Sequence, residues 1–200
     1  MIHGTIGVPT RESMPTAFVQ SFFLLNRPDP TYTILLQGSS YAAQRNTIAA
    51  TFEGDWLCFI DSDMMFPPDT LTRLLKHGDL DIVGGAYCRR SPPYDFMVWD
   101  VDERPIKPPI RMELQEVGLA GMAFTIIRRR VFEKMPVPWF EHGKFLNPHA
   151  ADEDVYFCRK ARQLGFRIWT DPTVQVWHLY QGAIAPGPEG YPVIKHGSVK

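Results

Sequence analysis

A short apolar run, Trp56-Leu57-Cys58-Phe59-Ile60, ends directly in two carboxylates, Asp61 and Asp63, which only Ser62 separates. The run is too short for a typical helix and is typical of a fully buried strand. Two charges this close repel each other by about 4 kcal/mol at an effective dielectric of about 20. A divalent cation would turn that repulsion into attraction, and carboxylate oxygens suit Mg²⁺ or Mn²⁺. The pattern therefore predicts a buried strand with a metal site at its carboxyl end. The alternative is a solvated loop without a metal, in which a sequence such as Asp-Ser-Asp is also common.

Strand and helix patterns alternate along the first half of the chain, which predicts an α/β fold with a mostly parallel central sheet, right-handed crossovers and flanking helices. Pro9 is expected to end the first strand, and Ser13 is a candidate N-cap of the first helix. The predicted strands cover residues 5–8, 32–36, 57–60 and 81–87, and the predicted helices cover residues 14–25, 41–52 and 70–77.

The middle of the chain changes character, because five prolines fall between Arg89 and Pro109. Such a density blocks long helices and central strands, and it predicts a long loop or hairpin that shapes a pocket. Edge strands remain possible over residues 96–99 and 110–114. A buried strand over 122–127 and a short helix over 129–135 are expected to follow.

A second acidic cluster, Asp152-Glu153-Asp154, begins a predicted helix that Gly165 ends. Acidic residues are favoured at a helix N-terminus by the macrodipole, so this cluster has a purely structural explanation as well as a chemical one. Short strands are predicted over 166–169 and 173–177, directly before His178. The Gly- and Pro-rich residues from 181 to 200 are expected to form a flexible tail or a lid.

Composition narrows the class of protein. The chain has 200 residues, of which 44% are apolar and 22% charged, so it is long enough to bury a core and is not a disordered chain. A net charge of −1 argues against nucleic-acid binding. Three cysteines without paired spacing predict neither a zinc site nor a disulfide framework, and they favour a cytoplasmic setting. Neither a signal peptide nor a membrane-spanning segment is predicted.

The ordered set of motifs resembles the GT-A-fold glycosyltransferases, especially those of glycosyltransferase family 2. Residues 59–69 look like the Asp-x-Asp segment and the helix after it, and residues 118–132, which contain Gly121, look like the segment that closes over the acceptor side. Residues 153–161 look like the Glu-Asp helix start, and residues 165–168 with 176–178 match the following strand and terminal histidine. The resemblance implies one domain over residues 1–180, with a nucleotide-sugar half (1–88) and an acceptor half (89–180).

The same resemblance implies a metal-dependent hexosyltransferase-like enzyme that uses a UDP- or GDP-sugar donor and a hydroxyl acceptor. Asp63 and His178 would bind Mn²⁺ or Mg²⁺, with Asp61 as a further or water-mediated ligand. Asp154 would be the catalytic base if the reaction inverts the anomeric centre, and Glu153 could bind the acceptor or act in its place. The candidate substrate- or donor-binding residues are Pro9, Thr10, Arg11, Arg45, Asp61, Ser62, Arg89, Gly121 and Trp139.

Other interpretations stay open at this point. A phosphohydrolase would use Asp61 as nucleophile and Asp63 as acid/base, but Met65 stands where such enzymes carry Thr or Val. A nucleotidyltransferase would need a Gly-rich basic loop after the first strand, and residues 7–11 are a poor version of it. A non-enzymatic alternative is a nucleotide-sugar-binding relative without turnover.

Overall fold

The structure, a computed structural model, describes residues 3–11, 13–143, 152–180 and 182–196. Thirteen strands and five helices occur in these ranges. The strands are β1 (Gly4–Thr10), β2 (Thr31–Gln37), β3 (Trp56–Ile60), β4 (Met64–Met65), β5 (Ile82–Gly85), β6 (Val98–Trp99), β7 (Gln115–Val117), β8 (Leu119–Ala120), β9 (Phe124–Arg128), β10 (Ile168–Asp171), β11 (Trp177–Leu179), β12 (Gly182–Pro186) and β13 (Pro192–His196). The helices are α1 (Thr16–Leu24), α2 (Tyr41–Thr51), α3 (Thr70–Leu75), α4 (Arg129–Lys134) and α5 (Glu153–Gln163).

Seven strands form the main sheet in the order β2-β1-β3-β9-β5-β10-β7. Strands β2, β1, β3, β5 and β10 run in one direction, whereas β9 and the edge strand β7 run against them. The predicted mostly parallel α/β sheet is therefore confirmed. Because β1, β3 and β5 run in the same direction, their carboxyl ends lie at one common edge of the sheet.

Helices cover both faces of this sheet. Strand β3 is buried along its whole length, with Leu57 and Phe59 in the cluster that includes α2, α4 and α5. Trp56, Cys58 and Ile60 point to the opposite cluster, which includes α1 and α3. A strand covered on both faces reads as a continuous apolar run, which is why its sequence shows no alternation.

A second, smaller sheet has the order β13-β12-β11-β4. Its β11 pairs antiparallel with β4, so His178 lies opposite Met64, and the Leu179 amide donates to the Asp63 carbonyl at 2.8 Å. Strands β12 and β13 form a hairpin on β11, so residues 182–196 are hydrogen-bonded to the sheet where we expected a loose tail. Residues 181 and 197–200 of that tail lie outside the described ranges, and a lid role stays a prediction.

Several local expectations differ from the structure. Strand β1 continues through Pro9 to Thr10, because it pairs with β2 over its whole length. Proline is tolerated there because the hydrogen-bond ladder with β3 covers only Gly4 to Gly7, so Pro9 lies beyond it. Helix α1 begins after Pro15 rather than after Ser13, because a residue that precedes proline is disfavoured in helical conformation.

The proline-rich middle contains the short strand β6, whose partner β8 follows the Gly118 turn region. The edge strand expected over residues 110–114 is instead β7, over Gln115–Val117, and it pairs with β10. Across the described ranges, no helix is long and apolar enough to cross a membrane.

Candidate functional site

A cleft of about 350 Å³ opens at the edge where β3 and β5 end. It brings together both carboxylates of the Asp-x-Asp segment, His178 from the small sheet and one acid from the start of α5. The lining residues are Tyr41, Asp61, Asp63, Tyr87, Arg89, Arg90, Ser91, Met97, Asp152 and His178. Residues distant in sequence therefore meet at the position where ligands bind in open α/β sheets.

The contact between Asp63 and His178 has a defined proton arrangement. His178 Nδ1 lies 3.0 Å from the Cys88 carbonyl oxygen, which can only accept, so Nδ1 carries a proton. In the neutral ring, Nε2 then presents its lone pair, and it lies 3.2 Å from Asp63 Oδ2. Two electron-pair donors converge there, and a proton or a metal ion between them satisfies both.

The charge of Asp63 suits a metal ligand. Burial alone would raise the pKa of Asp63, but the hydrogen bond and charge of a protonated His178, together with the charge of Arg90, outweigh burial and lower that pKa. The 3.2 Å separation of Asp63 Oδ2 and His178 Nε2 is close to the roughly 3 Å between adjacent ligands of an octahedral ion with bonds of about 2.1 Å. These two residues therefore fit Mn²⁺ or Mg²⁺.

Asp61 has a different environment from Asp63. Arg45 of α2 lies beneath it, with Nη2 2.7 Å from Asp61 Oδ1 and Nε 3.2 Å from Glu153 Oε1. Only 3% of Arg45 is exposed, so it is an internal counter-ion shared by the Asp-x-Asp segment and α5. Burial alone would lower the pKa of Arg45, but the charges of Asp61 and Glu153 outweigh burial and raise it. The pKa of Asp61 is raised, chiefly by burial, although Arg45 opposes that shift.

Arg45 is a predicted donor-binding residue because, on an otherwise apolar helix face, it is expected to have a phosphate, ribose or carboxylate partner. Its partners in the structure are two carboxylates of the protein, which the sequence could not name. One guanidinium nitrogen, Nη1, is buried without a hydrogen-bond partner in the described part of the chain.

Asp154 lies in the first turn of α5, and its Oδ1 accepts the Val155 amide at 2.8 Å. Burial, followed by the charge of Glu153, raises the pKa of Asp154 to about 7. A carboxylate with such a pKa can exchange a proton near neutrality, as a general base must. Asp152 occupies the N-cap position, as expected, but its side chain makes no capping hydrogen bond and faces the cleft instead.

A second acidic group lies beside the cleft. One ligand atom from each of His142, Asp152 and Glu153 lies within 4.8 Å of the others, and His142 Nδ1 is 3.5 Å from Glu153 Oε2. The other oxygen of Glu153 already binds Arg45, whose fixed positive charge opposes a cation there. The Asp63 and His178 pair is therefore the better candidate metal centre.

Three donor-binding candidates lie at the end of β1: Pro9 and Thr10 are its last two residues, and Arg11 follows it. Pro9 and Thr10 are buried, and Thr10 Oγ1 has no hydrogen-bond partner among the described residues. Arg11 is exposed, with its guanidinium carbon 5.1 Å from the ring centroid of Tyr41, which lines the cleft.

Gly121 leaves room for a residue that the sequence did not single out. A Cβ placed on Gly121 would lie 1.9 Å from Tyr87 Oη, so any larger residue would collide with that hydroxyl. Tyr87 lines the cleft and packs edge-on against His178, with ring centroids 5.8 Å apart. Its contacts with Gly121 and His178 could be found only in three dimensions, since these residues are distant in sequence.

Ser62, Arg89 and Trp139 complete the predicted set. Ser62 is buried between the two aspartates, and Arg89 is exposed on the cleft wall. Trp139 is not among the cleft residues; its indole nitrogen donates to the carbonyls of Phe132 and Met135. Residues 144–151, which complete the loop after Trp139, lie outside the described ranges.

Comparisons with known proteins agree with this architecture. The family model described as Glycosyl transferase family 2 matches residues 17–135, which is more than half of the chain. A search of curated proteins found no match.

Two solved structures share the fold. The crystal structure of A197 from STIV is similar over 100% of this chain and 97% of its own, with a TM-score of 0.70 and 20% identity. The crystal structure of GalNAc-T7 with UDP, GalNAc and Mn²⁺ is similar over 88% of this chain, with a TM-score of 0.57 and 11% identity. This chain spans 43% of the GalNAc-T7 chain, less than half of its length. On the family match and this GT-A-like fold, the chain belongs to glycosyl transferase family 2 and has a glycosyltransferase-like function.

Proposed function

We propose that this protein is a metal-dependent glycosyltransferase that moves a sugar from a nucleotide-sugar donor to an acceptor hydroxyl. The observation that carries the proposal is the pairing of Asp63 Oδ2 with His178 Nε2 at 3.2 Å, with the Cys88 carbonyl holding the proton on the other ring nitrogen. A backbone acceptor behind a histidine is the usual support for a metal ligand.

Asp63 and His178 would hold Mn²⁺ or Mg²⁺, and Asp61 would bind it through water or contact the donor. When bound, the ion neutralises the negative charge that develops on the departing nucleotide diphosphate. Arg45 would keep Asp61 ionised and oriented from beneath.

The donor would lie across the carboxyl ends of β1 and β3, within the half formed by residues 1–88. Thr10 Oγ1, buried and unpaired in the described structure, is suited to a polar group of the nucleotide. Pro9, Arg11 and Ser62 would complete the nucleotide side. Arg89 would contribute from the cleft wall, while Gly121 and Trp139 belong to the proposed acceptor half, residues 89–180.

The donor is proposed to be a UDP- or GDP-sugar, and the acceptor a carbohydrate or another hydroxyl compound. Support for a UDP-sugar comes from GalNAc-T7, whose crystal structure contains UDP, GalNAc and Mn²⁺. A hexose is the sugar class that this likeness favours.

Asp154 is proposed as the base that takes the proton from the attacking acceptor hydroxyl. Its pKa of about 7 lets it accept a proton near neutral pH. Asp154 is not itself among the lining residues of the cleft, but it follows the lining residue Asp152 by two positions in the first turn of α5. Glu153 would support it, since its own carboxylate is engaged by Arg45.

The phosphohydrolase alternative is disfavoured by the family match, which assigns the chain to glycosyl transferase family 2. The environment of Asp61 does not decide between the two, since Arg45 binds only Oδ1 of that carboxylate.

The proposal is tested by calorimetric titration with UDP, GDP and the other nucleoside diphosphates, each with and without Mn²⁺. We expect one nucleotide to bind with an affinity that depends on the metal. The matching nucleotide-sugar panel is then incubated with simple sugar acceptors, and products are identified by mass spectrometry. Metal-independent release of phosphate from simple phosphomonoesters, with no nucleotide binding, would contradict the proposal.

A further inference from the structure

Asp63 has a second cationic partner besides His178. Arg90 Nη1 lies 2.9 Å from Asp63 Oδ2, the same oxygen that faces His178 Nε2. The oxygen best placed to bind a metal ion therefore already has a protein cation against it. Asp61, in contrast, is bound from beneath by Arg45.

The two arginines differ in their freedom to leave. Arg45 is 3% exposed and is held by two carboxylates, whereas the Arg90 side chain is 56% exposed and its one ion pair in the described structure is with Asp63. Arg90 also lies near the tip of a short hairpin-like loop, which the bridge between Cys88 and Phe96 closes. A long side chain at an exposed loop tip can turn away without disturbing the core.

We propose that Arg90 is an exchangeable counter-ion of the metal site: it competes with the divalent cation for Asp63 Oδ2 and, once displaced, turns to the donor diphosphate. This inference rests on the proposed metal-dependent function. A bound cation and a guanidinium repel each other, so both cannot hold the same oxygen. The displaced guanidinium remains in the cleft, where its planar donors match phosphate oxygens.

Because of this competition, removal of Arg90 should change the affinities for the metal ion and for the diphosphate in opposite directions. Without Arg90, the metal no longer displaces a cation and binds more tightly. The diphosphate, however, loses a positive partner and binds more weakly. If Arg90 had only a structural role, its replacement would weaken the binding of both ligands. If only the loss of positive charge mattered, replacing either arginine would change Mn²⁺ affinity equally.

Arg89 provides the matched control. It is the sequence neighbour of Arg90, it is exposed and it lines the same cleft, but no ion pair joins it to Asp63 within the described ranges. For Mn²⁺ binding, Arg89→Gln removes the same charge from the same cleft, so the difference between the two variants isolates the contact with Asp63. Nucleotide binding is compared with the wild type instead, because Arg89 is itself proposed to contact the donor. Arg90→Lys retains the charge and serves as a conservative rescue.

The experiment measures Mn²⁺ binding to the wild-type protein, Arg90→Gln, Arg89→Gln and Arg90→Lys by calorimetry and by the electron paramagnetic resonance signal of free Mn²⁺. Since an exposed ion pair contributes little, we expect Arg90→Gln to tighten Mn²⁺ binding by about two- to fivefold relative to Arg89→Gln. UDP and GDP are then titrated at saturating Mn²⁺, where Arg90→Gln should weaken nucleotide binding by a similar factor. Arg90→Lys should stay near the wild type in Mn²⁺ binding and should recover part of the nucleotide affinity, because it keeps the charge but loses the planar donors.

Equal Mn²⁺ affinities for Arg90→Gln and Arg89→Gln, with Asp63-dependent binding in the wild type, would overturn the competition and leave the proposed function intact. Weaker binding of both ligands by Arg90→Gln would overturn it in the same way. If neither the wild-type protein nor any of the variants binds Mn²⁺, the proposed metal dependence fails together with this inference. Thermal unfolding of each variant confirms that all four proteins are folded.

Discussion

Arg45 binds Asp61 from beneath the cleft, with Nη2 2.7 Å from Oδ1, and the same guanidinium reaches Glu153 on α5. This one side chain connects the segment after β3 to the helix that carries the proposed base. The two acidic motifs, about 90 residues apart in the chain, are therefore joined through a buried positive charge.

Replacement of Arg45 should destabilise the protein. Arg45→Met leaves the buried carboxylates of Asp61 and Glu153 without a counter-ion, and breaking such a buried pair costs about 3–5 kcal/mol. Urea denaturation measures the free energy of unfolding. The control is Arg130→Met, which removes an exposed pair with Asp81 and should cost less than about 1 kcal/mol. Similar losses for the two variants would show that Arg45 is not a buried counter-ion.

Replacement of Asp63 should abolish Mn²⁺ binding. Asp63→Asn keeps the side-chain shape but removes the charge that faces His178 Nε2. Calorimetry with Mn²⁺ should then detect no binding, whereas Asp69→Asn, at an exposed helix start outside the cleft, should retain it. Unchanged Mn²⁺ affinity in Asp63→Asn would reject this residue as a ligand.

Replacement of Asp154 should separate turnover from binding. Asp154→Asn cannot accept a proton, and a general base typically contributes about 10²- to 10⁴-fold to the rate. We expect kcat to fall by such a factor while the donor affinity, measured by calorimetry, stays within about twofold of wild type. Asp152→Asn, which removes the charge two residues earlier, serves as the control and should lose much less turnover. Near-normal turnover in Asp154→Asn would assign the base elsewhere.

The pH dependence should report the same carboxylate. Burial raises the pKa of Asp154 to about 7, so the proposed base is protonated below pH 7 and free to act above it. Turnover should rise as pH increases through about 7.

Stability should change in the opposite direction. Since the folded-state pKa of Asp154 lies above its ordinary value of 3.8, its proton favours the folded state. The free energy of unfolding should therefore decrease as pH rises from about 4 to about 7, and Asp154→Asn should reduce this slope. A slope that is identical in the variant would show that Asp154 titrates normally.

Gly121 should tolerate no side chain while Tyr87 keeps its hydroxyl. In Gly121→Ala the new methyl group would lie 1.9 Å from Tyr87 Oη and 2.8 Å from Cζ, so Tyr87 must move. We expect a loss of about 1–3 kcal/mol in stability, typical of overpacking. Adding Tyr87→Phe should recover part of this loss, because it removes the nearer of the two colliding atoms. Additive effects of the two substitutions in denaturation experiments would contradict the contact.

Much of the fold was predictable because it depends on patterns local in sequence. The apolar run before Asp61 predicted a buried strand, and β3 is buried along its length. The acidic start and Gly165 predicted the bounds of α5, and Gly165 takes a φ of +85° just after the helix, where glycine is favoured. Local misses, such as the start of α1, arose where proline geometry outweighed capping propensity.

The antiparallel insertion of β9 between β3 and β5 was not predictable in the same way. Strand pairing depends on contacts between segments distant in sequence, and an apolar strand has the same pattern in either direction. The hairpin of β12 and β13 was not predicted, because Gly and Pro indicate turns but do not show whether the residues on either side of a turn pair with each other.

The sequence by itself determined which chemical groups are available: two carboxylates at a strand end, an acidic helix start and a histidine after a late strand. Tertiary structure alone decided their partners. It placed Cys88 behind His178, Arg90 in front of Asp63 and Arg45 between Asp61 and Glu153. The reason is that charge and proton state depend on distance and burial, and these are set only when the sheet and its helices pack together.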